Sequence, residues 1–326
     1  MQPLLVFAVS MVASVLLYLG VFSVVQRPLT LDSMAPLIQH KLAHAQALPA
    51  PRLLVLAGSN GRYSHRCQAL QAATRWPCSN LSLAVGLGLD FQLRQIEPLL
   101  RAGDVLYLPL EYSQYRVSQD EMESGAENTL LVHHFREQLW SLPWRRMARA
   151  YGSFDLSFLT HGLLEMALAR TGFQRRSGAD SLTPEGDENG HTAADGRAYQ
   201  AFLRSARFDT TPLPLHSHAL DVIDAFLARA AQRSVQVVGG LPTTPDNVVL
   251  DGAGIVRLRE LFARHGHGFL LLPSRSQYPL SCFFDTLYHL HEECQIRHSL
   301  AVGAALLALL PQRPEAQAGV AKIDAR

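Results

Sequence analysis

Charge is scarce in this chain, and the first 26 residues contain no Lys, Arg, Asp or Glu at all. Across the 326 residues only 17% are charged and the formal net charge is +1. No basic run of the kind a nucleic-acid backbone requires is present, so nucleic-acid binding is set aside. Neither a phosphate-cradling glycine loop nor a dinucleotide fingerprint occurs, and no cofactor is expected. Cysteine is limited to Cys67, Cys78, Cys282 and Cys294, without the C-x-x-C spacing of zinc or thiol-redox motifs. The histidine pairs His133-His134, His216-x-His218 and His265-x-His267 have no Cys or carboxylate at ligand spacing, so no metal is expected.

What replaces charge at the amino terminus is an uninterrupted apolar run, Pro3 to Gln26. About twenty such residues cross a bilayer core as a helix. A cleaved signal peptide is the alternative, but the run is long, its n-region lacks a base, and Phe22 to Gln26 is a poor cleavage site. Arg27 and Lys41 after the span count against export. The even cysteine number beside an anchor instead suits an oxidising compartment with one or two disulfides, although four buried thiols remain the alternative. The resulting expectation is a single pass through the inner (cytoplasmic) membrane, with the remaining chain on its outer, periplasmic side. A cytoplasm-facing domain is the competing orientation.

With 48% hydrophobic residues the chain can bury a full core. The expected organisation is an anchor over 1–27, a juxtamembrane linker over 28–51 with a short helix near His40 to Gln46, an α/β domain over 52–311, and a disordered tail over 312–326. Short apolar runs predict strands at Leu53–Ala57, Leu81–Val85, Val105–Leu110, Val235–Gly239 and Phe269–Leu272, as in parallel sheets covered on both faces. Helical spacing over Asp90–Arg101, His218–Arg233 and Gly254–His265 alternates with them. That alternation predicts a doubly wound parallel sheet. The region from about 115 to 214 contains no convincing strand. It reads as an insertion with helices at Thr129–Leu139 and Phe154–Thr171 around a mobile polar loop, Arg175 to Gly196, lying over the carboxyl edge of the sheet. A last helix is expected from His289 through the apolar run ending at Pro311.

Within this frame, Gly58-Ser59-Asn60-Gly61 ends the first strand, at the sheet edge where open α/β folds bind ligands. A serine nucleophile needs a base, a group orienting that base, and donors for the oxyanion. His289 follows the last strand and would reach the same edge, and Asp285, four residues earlier, can hold its imidazole. A turn serine, a capping histidine and a capping aspartate are the structural alternatives. Asn80-Leu81-Ser82 matches a glycosylation acceptor, but it falls in an expected buried strand. Gly239 to Thr244 ends a strand and could shape a substrate cleft.

Gly58-Ser59-Asn60, Gly86 in Asn80-Leu-Ser-Leu-Ala-Val-Gly86, and the Asp285/His289 pair resemble the SGNH (GDSL-like) hydrolase superfamily. The stretches GSNGRYSHRCQAL and PCSNLSL look most like its membrane-anchored branch, which works beside membrane-bound O-acyltransferases in alginate acetylation and teichoic-acid alanylation. The resemblance covers about Leu53 to Glu111 and Gly268 to Ser299. It implies a three-layer, flavodoxin-like fold with Ser59 as nucleophile, His289 as base and Asp285 as its orienting acid. The N–H groups of Ser59 and Gly86 would form the oxyanion hole. Three departures stand out: Asn60 replaces the usual Asp, Glu111 stands where an Asn donor is usual, and the acid and base are one residue further apart than D-x-x-H. Asn60 and Glu111 are therefore candidates for contacting substrate. An ionised Glu111 would oppose an oxyanion, so as a donor it would have to be protonated by burial.

The function implied by the resemblance is a membrane-tethered serine acyl-esterase or O-acyltransferase acting on acetyl groups of a cell-envelope polysaccharide. The alternative is a non-catalytic scaffold partner of a membrane-bound O-acyltransferase or envelope export complex.

Overall fold

The computed structural model describes residues 2–25, 34–152, 156–171 and 179–310. The tail expected over 312–326, the start of the expected linker and part of the expected polar loop lie outside those residues. Helix α1 spans Gln2–Val25. It is the one helix among the described residues long and apolar enough to cross a membrane, and its apolar window is unburied. Helix α2, Met34–Ala47, is longer than the short helix expected there and is no free linker, because Leu37, Ile38 and Lys41 are buried in the body.

Among the described residues seven strands follow: β1 (Leu53–Val55), β2 (Cys78–Asn80), β3 (Val105–Leu108), β4 (Gln236–Gly240), β5 (Thr244–Pro245), β6 (Gly268–Leu270) and β7 (Gln277–Tyr278). Five form one sheet in the order β2-β1-β3-β4-β6, and every pairing in it is parallel. Strands β5 and β7 form a separate two-stranded parallel ladder that the hydrophobic pattern did not signal. The sheet is covered on both sides because alternate strand residues face opposite ways. Leu54, Leu106 and Val237 enter one cluster, with Ile223 and Phe226 of one helix and Leu258 and Phe262 of another. Leu53, Val105, Tyr107 and Val238 enter the other, with Leu70 and Val302.

The second strand lies upstream of Leu81–Val85. Leu81 and Leu83 still donate to Val55 O and Ala57 O at 2.8 and 3.2 Å, but the Ala57 N–H donates to Ser82 Oγ at 3.0 Å instead of to a backbone carbonyl, which breaks the regular ladder there. The Asn80 side chain is spent elsewhere, its Oδ1 accepting the Ser82 N–H at 3.1 Å and its Nδ2 donating to Gly61 O and Asp187 Oδ1, both at 2.9 Å. Asn80 is fully buried, so its glycosylation pattern is incidental. Pro109 ends the third strand two residues early by removing a donor. The segment expected as one helix over Thr129–Leu139 is two, Glu127–His133 and Arg136–Trp140.

The described part of the polar loop is pinned to the body. Asp187 is fully buried and accepts from Cys67 N at 2.8 Å, Asn80 Nδ2 and Thr183 Oγ1, while Lys41 Nζ donates to the carbonyls of Asn80 and Gly186. Polarity there reflects an internal network and not solvation.

At the opposite edge of the sheet, Arg52 Nε meets Asp104 Oδ2 at 3.0 Å with both side chains fully buried, and the same guanidinium donates to Ala45 O and Leu99 O. Removing one partner strands a buried charge. Asp104→Ala is therefore expected to lower unfolding stability by about 3–5 kcal/mol in denaturant titration.

Candidate active site

The strand order reverses between β1 and β3, and ligands in such sheets bind at that switch point, outside the carboxyl ends of the strands. Ser59 opens helix α3 (Ser59–Ser64) directly beyond β1, and Glu111 follows β3. Glu111 Oε1 accepts the Asn60 N–H at 3.2 Å, and Gln114 Oε1 accepts the N–H groups of both Gly58 (3.2 Å) and Glu111 (3.0 Å). Space is tight enough that a Cβ on Gly58 would stand 2.6 Å from Glu111 Oε1, so close approach requires glycine there.

The third contributor comes from 230 residues away. His289 Nε2 lies 2.9 Å from Ser59 Oγ, and His289 Nδ1 lies 2.7 Å from Asp285 Oδ1. With Nδ1–H donating to the carboxylate, Nε2 is left to accept the serine proton. His289 does not open the last helix. It sits in a hairpin before that helix, which runs Glu292–Leu306. The hairpin has its own ties: a bridge between Phe283 and Leu290, Phe284 N–H to His289 O at 2.8 Å, and His291 N–H to Cys282 O at 2.8 Å. The Cys282–Cys294 disulfide closes the segment, and its pairing leaves both Asp285 and His289 inside the loop. The second disulfide, Cys67–Cys78, joins the helix after the serine turn to β2.

Several supporting residues were not signalled by sequence. The Tyr63 ring stacks on His289 with centroids 4.1 Å apart and planes 9° from parallel, and the Arg62 guanidinium lies 5.1 Å from the Tyr63 ring centroid. Tyr63 is one helical turn beyond Ser59, so the i,i+4 rule would have placed both on one face. Thr243 Oγ1 donates to Tyr288 O at 2.7 Å, and Ser64 Oγ lies 2.7 Å from that hydroxyl. The Gly239 to Thr244 segment thus holds the hairpin through a buried hydroxyl instead of lining an open cleft. His191 is buried edge-on to Tyr63, and its pKa is pushed down to about 4, by burial first and then by Arg66.

Asn60 is fully buried, with its Nδ2 donating to Pro109 O at 2.9 Å, so its amide faces the fold and not a substrate. Gly86 lies in an exposed turn after β2. Among the described residues, the Ser59 N–H has no acceptor in the hydrogen-bond network around α3. A groove of about 750 Å³ opens beside the hairpin, lined by Leu280, Leu287, Phe208 and Val249 with Arg204 and Arg207 on its wall.

Among the described residues, one cluster has metal-ligand spacing: Cys282, His291 and Cys294. Its sulfurs are joined to each other, and the Arg297 guanidinium lies 2.8 Å from Cys294 Sγ, where a cation would have to sit. A disulfide also offers no thiolate for a metal. Of the histidine pairs, His265 and His267 serve the scaffold: His265 Nε2 meets Asp224 Oδ1 at 2.9 Å, and His267 Nδ1 accepts the Val237 N–H at 3.2 Å.

Burial holds Glu111 above the usual carboxylate value of 4.5, with the Asn60 N–H and His289 pulling the other way. The folded chain therefore binds this proton more tightly than the unfolded chain. That contribution to stability is whole below 4.5 and is lost as pH rises through the raised folded-state value. Glu111→Gln keeps an acceptor for Asn60 and removes the titration. Its melting temperature minus that of the parent is expected to grow with pH above 4.5, and an unchanging difference would refute the assignment.

No protein-family model matches the chain, and no curated protein matches it.

Proposed function

We propose that this chain is a membrane-tethered serine acyl-esterase or O-acyltransferase of the SGNH type, with α1 retained as a single-pass inner-membrane anchor. The observation that carries the reading is the relay from Ser59 Oγ through His289 to Asp285, with links of 2.9 and 2.7 Å. Two disulfides around the site suit an oxidising, extracytoplasmic compartment.

In this mechanism Ser59 Oγ attacks the acyl carbonyl while its proton passes to His289 Nε2. Asp285 remains ionised and stabilises the imidazolium. Collapse of the tetrahedral intermediate expels the alcohol, which takes the proton from His289 and leaves an acyl-serine. A water or sugar hydroxyl then attacks that ester, with His289 again as base, and Ser59 is regenerated. Oxyanion charge falls to the N–H of Ser59, with Gly86 as the second donor implied by the resemblance. Tyr63 stacked on His289 keeps the imidazole in the plane that serves both links. The acyl group is proposed to be acetyl on an envelope polysaccharide, with the groove beside Leu287 taking the acceptor. The test is turnover of an acetyl ester by the full chain and by Ser59→Ala. Equal rates would refute catalysis.

A second reading, a non-catalytic scaffold partner of a membrane-bound O-acyltransferase, is favoured by Glu111. The carboxyl group occupies the β3 end, where the resemblance places an Asn donor for the oxyanion, and it accepts the Asn60 N–H instead of offering one. On that reading Ser59→Ala leaves acylation of the envelope polymer intact in cells, whereas deleting α1 abolishes it.

A further inference from the structure

The insertion helices turn a broad apolar face outward. Trp140 and Trp144 are each 69% exposed, and Leu156, Leu163, Leu164 and Leu168 are exposed on the helix Leu156–Arg170. Offsets of seven, eight and twelve residues put the four leucines within about 140° of one another, on one side of that helix. An apolar face of this kind marks an interaction surface.

Its occupant follows from where the face sits. Helix Leu156–Arg170 packs against α1, and Tyr18 Oη donates to Tyr151 O at 3.0 Å. Tyr18 lies just before Val21, the end of the apolar window, so this contact stands at the level where a bilayer would give way to water. Tyr151 and Trp144 are seven residues apart on the helix Trp144–Gly152, two turns along one face. Trp144 thus lies about 10 Å along this helix from Tyr151, with the Arg145 guanidinium 5.5 Å from its ring centroid. Tryptophan and tyrosine beside a base are the composition of a membrane interface.

We propose that this face of the insertion lies on the lipid bilayer beside α1, with Trp140 and Trp144 at the headgroup level and the leucine stripe in the acyl region. The inference rests on the reading of α1 as a retained anchor. A bilayer is favoured over a protein partner because the helix that carries these leucines packs against α1, whose apolar window is otherwise exposed. The catalytic domain is thereby held against the membrane by two elements instead of swinging on one.

The chain contains three tryptophans, and Trp76 is buried against the sheet, which makes it an internal reference. The full chain is reconstituted in phosphatidylcholine–phosphatidylglycerol vesicles with and without lipids brominated high on the acyl chain. Because two of the three tryptophans lie on the proposed face, where tryptophan favours the headgroup level, emission is expected to fall roughly twofold with brominated lipid, and the Trp140→Phe/Trp144→Phe variant is expected to lose that quenching. If the chain floats with vesicles but its emission is unaffected by bromine, the face meets water or protein; the inference then fails while the anchor stands. If the chain does not float with vesicles, both fail.

Discussion

Replacing Ser59 by alanine is expected to lower acetyl-ester turnover by on the order of 10⁴–10⁶-fold, with no comparable change in stability. The serine hydroxyl is half-buried and bonds to His289 Nε2, so its loss removes the nucleophile without opening a core cavity. The sharper form of the expectation concerns non-additivity. Once Ser59 is gone, His289 has no proton to accept, so His289→Ala in the Ser59→Ala background is expected to cost little more. A double variant whose loss equals the product of the single losses would mean that the residues act independently. The 2.9 Å contact would then be a packing coincidence.

Asp285→Asn is the second large effect, about 10⁴-fold in kcat. The carboxylate accepts only, so it fixes the His289 proton on Nδ1 and frees Nε2 as acceptor. A carboxamide can donate instead, which drives the proton to Nε2 and leaves Ser59 facing a donor. The Asp285 side chain is 29% exposed, so the change is not expected to unfold the hairpin. Normal thermal unfolding with lost turnover is the predicted pair of results. Retained turnover would show that His289 needs no orienting acid, and unfolding would show that Asp285 serves the hairpin.

Parts of the structure follow from local pattern. Runs such as Leu53–Val55 and Val105–Leu108 have to be buried on both faces, and β-strands between helical segments resolve that in one way, as a parallel sheet. The run after Asn80 misled for a reason that period cannot express. Its leucines are buried and Leu81 and Leu83 still donate to β1, but the Ser82 hydroxyl takes the Ala57 N–H out of the ladder. The polar stretch around Asp187 misled in the opposite direction, because composition cannot tell a solvated loop from a satisfied internal network. The loop before the last helix is a tied hairpin, and the helix expected from His289 begins at Glu292, since the constraint on this segment is a disulfide whose pairing is not written in the spacing.

The apolar amino-terminal run, the α/β character and the serine turn after β1 were legible in the primary chain, because each depends on residues near one another and on a period of two or 3.6. Which side chains meet was decided only on folding. Ser59 and His289 are 230 positions apart and acquire their 2.9 Å separation through strand order. Asn60 is turned inward by Pro109, and Glu111 is raised above its usual pKa by burial. Local spacing governs backbone geometry. Distance across the fold, exposure to water and the strength of a charge belong to the packed molecule, where the surrounding dielectric and the neighbouring groups are set.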